Sequence, residues 1–234
     1  MIERLKNMCK LSQQELKKFT EIELAKTHSE ISVGDGYVYA KGSFPVLLVA
    51  HLDTVHENLP ETILYDEATG IMSSPQGIGG DDRCGVFMTF EIIKRFNCSV
   101  LFCEDEELGN VGAKKFITSG IVGNLEFNYI IEFDRKNSHD AVFYKCCNED
   151  FERFITKEHF QTAQGTEADI SYLAPQLQCA AVNLSCGYYN LHTLDEYVVI
   201  PEMLANIEAA CDILARTSAN DKFAYMECPQ TEMK

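Results

Sequence analysis

Apolar residues in this chain follow two patterns. Short unbroken runs, "FPVLLVA" (44–50), "SVLFC" (99–103), "NYIIEF" (128–133) and "CAAVNLS" (179–185), have strand length and little polar alternation. Such runs are the mark of strands covered on both faces. Between them lie stretches with apolar residues at helical spacing. "DDRCGVFMTFEIIKRF" sets Val86, Phe87, Phe90, Ile93 and Phe96 on one face and predicts an amphipathic helix. "PEMLANIEAACDILART" opens with Pro201 at a first helical position and predicts another. "LSQQELKKFTEIELAK" carries Ser12 and Glu15, a capping box at the head of a helix. "NEDFERFITKEHF" predicts a helix capped by Asn148.

Two hairpins complete the pattern. "ISVGDGYVYA" reads as strand, Gly-Asp-Gly turn and strand, and "ETILYDEATGIMSS" as a second pair. Strands alternating with helices predict one α/β/α three-layer domain on a mostly parallel mixed sheet, spanning residues 1–217. The polar stretch 218–234 is expected to fray as a tail.

The polar residues are placed where this architecture puts ligands, beyond the carboxyl ends of the strands. "LLVA" runs into His51 and Asp53, "SVLFC" into Glu104 to Glu107, "NYIIEF" into Asp134, and "CAAVNLS" leads on to His192. The glycine-rich turn "GIGGDDR" adds Asp81 and Asp82 at the mouth of a helix. Taken singly each has a plain structural reading. "EDEELG" reads as a solvated loop, Asp134 as a turn residue, His192 as a loop histidine, and "DDR" as a helix cap. Taken together they form an oxygen and nitrogen donor set suited to zinc, or to cobalt or manganese. Three buried carboxylates and a hydroxide carry a charge that two divalent cations balance and one does not, so the set predicts a dinuclear centre.

Composition narrows the partners. The chain has 234 residues and a net charge of −16, and two divalent ions leave it strongly acidic at −12. That charge argues against nucleic acid and anionic membranes as partners. The N-terminal "MIERLKNMCKLSQQELKK" has no signal-peptide apolar core, and no run approaches a membrane span. Ten cysteines are scattered without a C-x-x-C pair, and Cys103 and Cys179 sit inside apolar runs as small core residues. A reducing cytoplasm is the expected location.

In this order, "HLDTV", "GGDDRCG", "EELG", the strand-ending "EFD" and "NLHTLDEYV" resemble the motifs of the dinuclear zinc exopeptidases. That superfamily includes peptidase T-like tripeptidases, co-catalytic aminopeptidases and related amidohydrolases. The match runs from about Pro45 to Leu204. The resemblance implies a phosphorylase/hydrolase-like α/β/α catalytic domain. By position, His51 and Asp134 would hold one ion, Glu107 and His192 the other, and Asp81 would bridge them. Glu106 would be the general base, and Asp53 would orient the His51 imidazole. The implied activity is cleavage of a peptide bond by a two-metal-activated water, as an aminopeptidase on short peptides. An N-acyl amino acid deacylase and a non-catalytic metal-binding module are the alternatives.

The chain departs from many relatives in one respect. Asp134 and His192 are 58 positions apart and His51 and Asp81 only 30, too few for an inserted lid or dimerisation domain of roughly 100 residues. The oligomeric state stays open. Arg83 and Arg135 are the arginines near the motifs that could meet a substrate carboxylate. Asp169, in "GTEADISYLAP", reads either as a residue bordering the pocket or as a helix cap, and His56 and His139 read as surface histidines.

Overall fold

A computed structural model describes residues 1–229. Along the chain the strands are β1 (Glu30–Gly34), β2 (Tyr37–Lys41), β3 (Phe44–His51), β4 (Leu64–Asp66), β5 (Ile71–Ser73), β6 (Cys98–Cys103), β7 (Tyr129–Arg135), β8 (Asp140–Val142), β9 (Gln161–Ala163), β10 (Ala181–Ser185), β11 (Tyr188–Tyr189) and β12 (Tyr197–Val199). The helices are α1 (Ile2–Cys9), α2 (Gln13–Leu24), α3 (Gly80–Ile92), α4 (Val111–Thr118), α5 (Glu149–Ile155), α6 (Ile170–Leu177) and α7 (Ile200–Ala215).

Eight strands form the main sheet in the order β1-β2-β6-β3-β7-β10-β8-β9. The central four, β6, β3, β7 and β10, run parallel, and antiparallel pairs at β1/β2, β2/β6 and β10/β8 extend them. These are the unbroken apolar runs of the sequence, and the reason is visible in β3. Val46, Leu48 and Ala50 join a core shared with α1, α2, α3 and α7, while Leu47 and Val49 join a second core under α4 and α6. Both faces are therefore dry, as the runs require. Removing one such side chain, Leu48→Ala for example, should cost about 2–5 kcal/mol. The three-layer α/β/α architecture with a mostly parallel sheet is the one the sequence implies.

Some elements differ from the sequence reading. The expected amphipathic helix is α3, but it is buried almost all round, because α1 and α7 cover the side turned away from the sheet. α1 was not anticipated, and it is what makes an apolar all-round α3 possible. The capping box of α2 forms as read, with Ser12 and Glu15 bonding reciprocally. The hairpin β4/β5 does not stand alone. It joins a second, antiparallel sheet in the order β11-β12-β5-β4, whose short strands were too brief to read.

The tail also differs as far as it is described. Phe223 N donates to Asn128 O and Cys228 N to Lys145 O, so residues 223–228 lie along the sheet instead of fraying. Residues 230–234 of the expected tail lie outside the described residues. Cys147 and Cys228 form a disulfide, which the scattered cysteines did not suggest; the remaining eight are free and buried. Among the described residues no helix is long and apolar enough to cross a membrane.

Candidate metal centre

The carboxyl ends of β3, β6 and β7 lie side by side, and the loops that leave them carry the acids and imidazoles. His51 is the last residue of β3. Its Nδ1 lies 3.1 Å from Asp53 Oδ1, and its Nε2 lies 3.0 Å from Asp81 Oδ1 and 3.4 Å from Asp134 Oδ1. His192 arrives from the other sheet, in the loop between β11 and β12. Its Nε2 is 2.7 Å from Glu107 Oε1 and 3.3 Å from Asp81 Oδ2. The two oxygens of Asp81 thus face different histidines. Two donor groups result, His51–Asp81–Asp134 and Asp81–Glu107–His192, each with atoms within 4.8 Å of one another, and they share Asp81. A third such group, His51–Glu106–Glu107, brings Glu106 to the same place.

Local structure aims each side chain. Asp134 sits at a bulge. Opposite it the β7/β10 register steps from Phe133–Leu184 to Arg135–Ser185, leaving Asp134 without a partner residue. The Asn183 side chain fills the gap, accepting from Asp134 N at 2.9 Å and donating to Asp134 O at 3.0 Å. A bulge of this kind redirects one side chain out of the pleat, here toward the centre. The head of α3 is irregular at Asp81 and Asp82, which are joined by a cis peptide bond. Asp82 turns inward and accepts from His51 N at 3.1 Å and Gly85 N at 2.9 Å. A side chain at Gly85 would collide with the Asp82 carboxylate and with Phe133 O, so glycine in "DDRCG" lets α3 approach β7.

Asp53 links two parts of the site. Beside His51 Nδ1 it accepts from the backbone N–H groups of Glu106 and Glu107, each at 3.0 Å. One carboxylate therefore orients an imidazole and holds the "EELG" turn in place.

Electrostatics agree with a place meant for cations. Burial pushes the Glu106 carboxyl up to about 9, and the negative charges of Asp134 and Asp169 add to this. Burial and the Asp81 charge raise Asp134 to about 6. Asp81 behaves differently. Burial works to raise it, but hydrogen bonds from His192 and His51 outweigh that and hold it below the usual range. His192 is raised to about 9, first by its bond to Asp81. Acids crowded this way are costly to ionise without a counter-charge. The nearest arginine does not supply one: buried Arg83 donates to the carbonyls of Asp53 and Leu11 and is no receptor for a substrate carboxylate. The donor set fits divalent cations by type and by charge.

Three residues outside the sequence-predicted set take part. Glu196, fully buried, accepts from Gly79 N and Asp81 N at 2.9 Å each, fixing the turn that carries Asp81. It also meets His56 Nε2 at 2.8 Å, so His56 is a largely buried partner of Glu196 and not the surface histidine expected. The third is Asp82. Glu196 lies four positions past His192 in "NLHTLDEYV", and its place beside that motif was the available signal. His139 is exposed, as expected, and stacks on His159. Asp169 stands at the head of α6 but makes no capping bond. It is fully buried with neither carboxylate oxygen partnered, and burial raises it to about 7. The centre opens into a cleft of about 300 Å³, bordered on the far side by Arg135 and Lys136.

No protein-family model and no curated protein sequence matches the chain. Solved structures do. An aminopeptidase PepT from Bacillus cereus superposes with TM-score 0.74 at 13% identity, covering 91% of this chain and 96% of that one. A tripeptidase from Staphylococcus aureus gives 0.72 at 12%, over 92% and 98%. A TET aminopeptidase from a marine-sediment archaeon of the Thaumarchaeota gives 0.67 at 13%, over 94% and 98%. The chain thus has the fold of these aminopeptidase and tripeptidase structures, which is the fold that its motifs' resemblance to the dinuclear zinc exopeptidases implies.

Proposed function

We propose that this protein is a metal-dependent hydrolase that cleaves peptide bonds, acting as an aminopeptidase on short peptides, with residues 1–217 as one catalytic unit. The observation that carries the reading is the position of Asp81, one oxygen toward His51 and the other toward His192. A carboxylate so placed suits a ligand shared by two ions. His51 and Asp134 would hold one ion, Glu107 and His192 the other; zinc suits the donors best, with cobalt or manganese as substitutes. Bound there, the ions would supply Lewis acidity, lowering the pKa of a water toward about 7 and offsetting charge that builds on the carbonyl oxygen.

The chain's own groups do the rest. Glu106 lines the cleft, and its carboxyl is held up by burial and by Asp134. Cations at the neighbouring acids cancel that repulsion and leave it as the carboxylate. It then takes the proton of the attacking water and passes it to the departing amine. Asp53 keeps the His51 ring and the Glu106–Glu107 backbone in register with one another. We place the protein in the cytoplasm, where its eight free, buried cysteines stay reduced.

The test is an assay with amino-acid p-nitroanilides, short peptides and N-acetyl amino acids after loading with zinc, cobalt or manganese. Release of N-terminal residues is the expected result. Turnover of N-acetyl amino acids alone would favour a deacylase, and metal binding without any turnover would favour an interaction module.

A further inference from the structure

The cleft has one wall of acids and one short basic border, and the border is built with care. Arg135 ends β7, one position past Asp134, and Lys136 follows. The turn that presents them is bonded at nearly every residue. Ser185 Oγ donates to Lys136 O at 2.7 Å and accepts from Asp140 N at 2.9 Å. Asn137 N donates to Tyr188 O, and Asn137 O accepts from Gly187 N, each at 2.9 Å. Asn137 Nδ2 reaches Asp140 at 3.0 Å.

The two cations differ in what they are free to do. Arg135 donates from Nε and Nη2 to Asp140 Oδ2, at 3.0 and 2.9 Å, so its charge is answered within the turn. Lys136 has no ion pair and no side-chain hydrogen bond among the described residues, yet it lines the cleft. The outlying acid of the cleft, Glu167, is no partner for it, being bonded by Asn110 and Tyr172. An unpaired ammonium on a fixed turn, in a chain of net charge −16, selects for an anion.

Resting on the peptidase reading above, we propose that Lys136 receives the free C-terminal carboxylate of the substrate, so that the natural substrates are di- and tripeptides. Distance supports the length. Lys136 is two positions beyond Asp134, about 7 Å along an extended chain, and an extended substrate advances about 3.3 Å per residue. A carboxylate one or two residues past the cleaved bond falls within a lysine's reach, and the end of a long peptide does not. The cleft of about 300 Å³ also suits a ligand of that size.

The experiment compares Leu-Gly-Gly with its C-terminal amide on the metal-loaded enzyme, in wild type, Lys136→Met and Lys136→Arg. A charge-assisted hydrogen bond makes the acid about tenfold or more the better substrate in kcat/KM, expressed mainly in KM. Lys136→Met should remove that advantage while leaving the amide's kcat/KM unchanged, and Lys136→Arg should restore most of it. Equal turnover of acid and amide by wild type would overturn the assignment while leaving the peptidase reading intact. So would an equal loss on both substrates in Lys136→Met. Absence of any peptide turnover by wild type would overturn the peptidase reading and this inference together.

Discussion

Asp53→Asn is the substitution that separates positioning from metal binding most cleanly. The carboxylate takes three donors: Oδ1 meets His51 Nδ1 at 3.1 Å and Glu106 N at 3.0 Å, and Oδ2 meets Glu107 N at 3.0 Å. Asparagine has the same shape but only one acceptor oxygen. If that oxygen takes the Oδ1 position, the amide NH2 points at Glu107 N; the reverse orientation leaves His51 and Glu106 N unmet. A buried donor left unsatisfied costs about 1–3 kcal/mol. For a chain of this length about 2 kcal/mol lowers the melting temperature by roughly 4–8 °C. The metal-free protein should show this loss, because the three bonds exist without ions. Ion affinity should fall as well, by about 10–100-fold, the usual effect of removing the group that orients a ligating histidine. Melting curves of the metal-free protein and competition against a chromophoric chelator measure the two effects separately. Unchanged melting together with ion affinity within twofold of wild type would refute the role given to Asp53.

Further outcomes follow from the same geometry. Glu106→Gln should keep its metal content and lose about 10²–10⁴ in kcat, and retained activity would remove Glu106 as the base. Loading the metal-free protein with zinc at pH 7 should release protons, because His192 is raised to about 9 and must be neutral to bind. Calorimetry in buffers of different ionisation enthalpy reads that release, and none would contradict the ligand assignment. Asp169, raised by burial from 3.8 to about 7, favours the fold while protonated and penalises it as pH climbs from about 4 to about 7. Asp169→Asn should therefore flatten the loss of stability over that range in metal-free protein, by at most about 4 kcal/mol, and an unchanged pH profile from denaturant melts would refute this.

What the sequence discloses and what it conceals have physical reasons. The central strands are legible because a strand covered on both faces must be apolar throughout, and "LLVA" and "YIIEF" satisfy this. The same logic makes their polar ends conspicuous, so His51, Asp53, Asp81, Glu106, Glu107, Asp134 and His192 could be named before any coordinates. Glu196 and Asp82 were missed because their work is done on backbone N–H groups of Gly79, Asp81, His51 and Gly85, and backbone donors leave no trace in residue type. His56 was misread for a related reason. Its partner Glu196 is 140 positions away, and nothing local to "DTVHEN" indicates burial. The Cys147–Cys228 bridge spans 81 positions and could not be inferred from spacing. α3 looked amphipathic because its outer face carries Arg83, Thr89 and Glu91 among apolar residues. Only the arrival of α1 and α7 shows that face to be interior.

The central claim is that one carboxylate, Asp81, is shared between two cations held by histidines from different sheets. Crystals soaked in zinc, with anomalous differences measured on both sides of the zinc absorption edge, test it directly. The account expects two peaks per chain roughly 3.5–4 Å apart, one beside His51 and Asp134 and the other beside Glu107 and His192, with Asp81 touching both. A single peak, or a pair that leaves Asp81 uncoordinated, would contradict it.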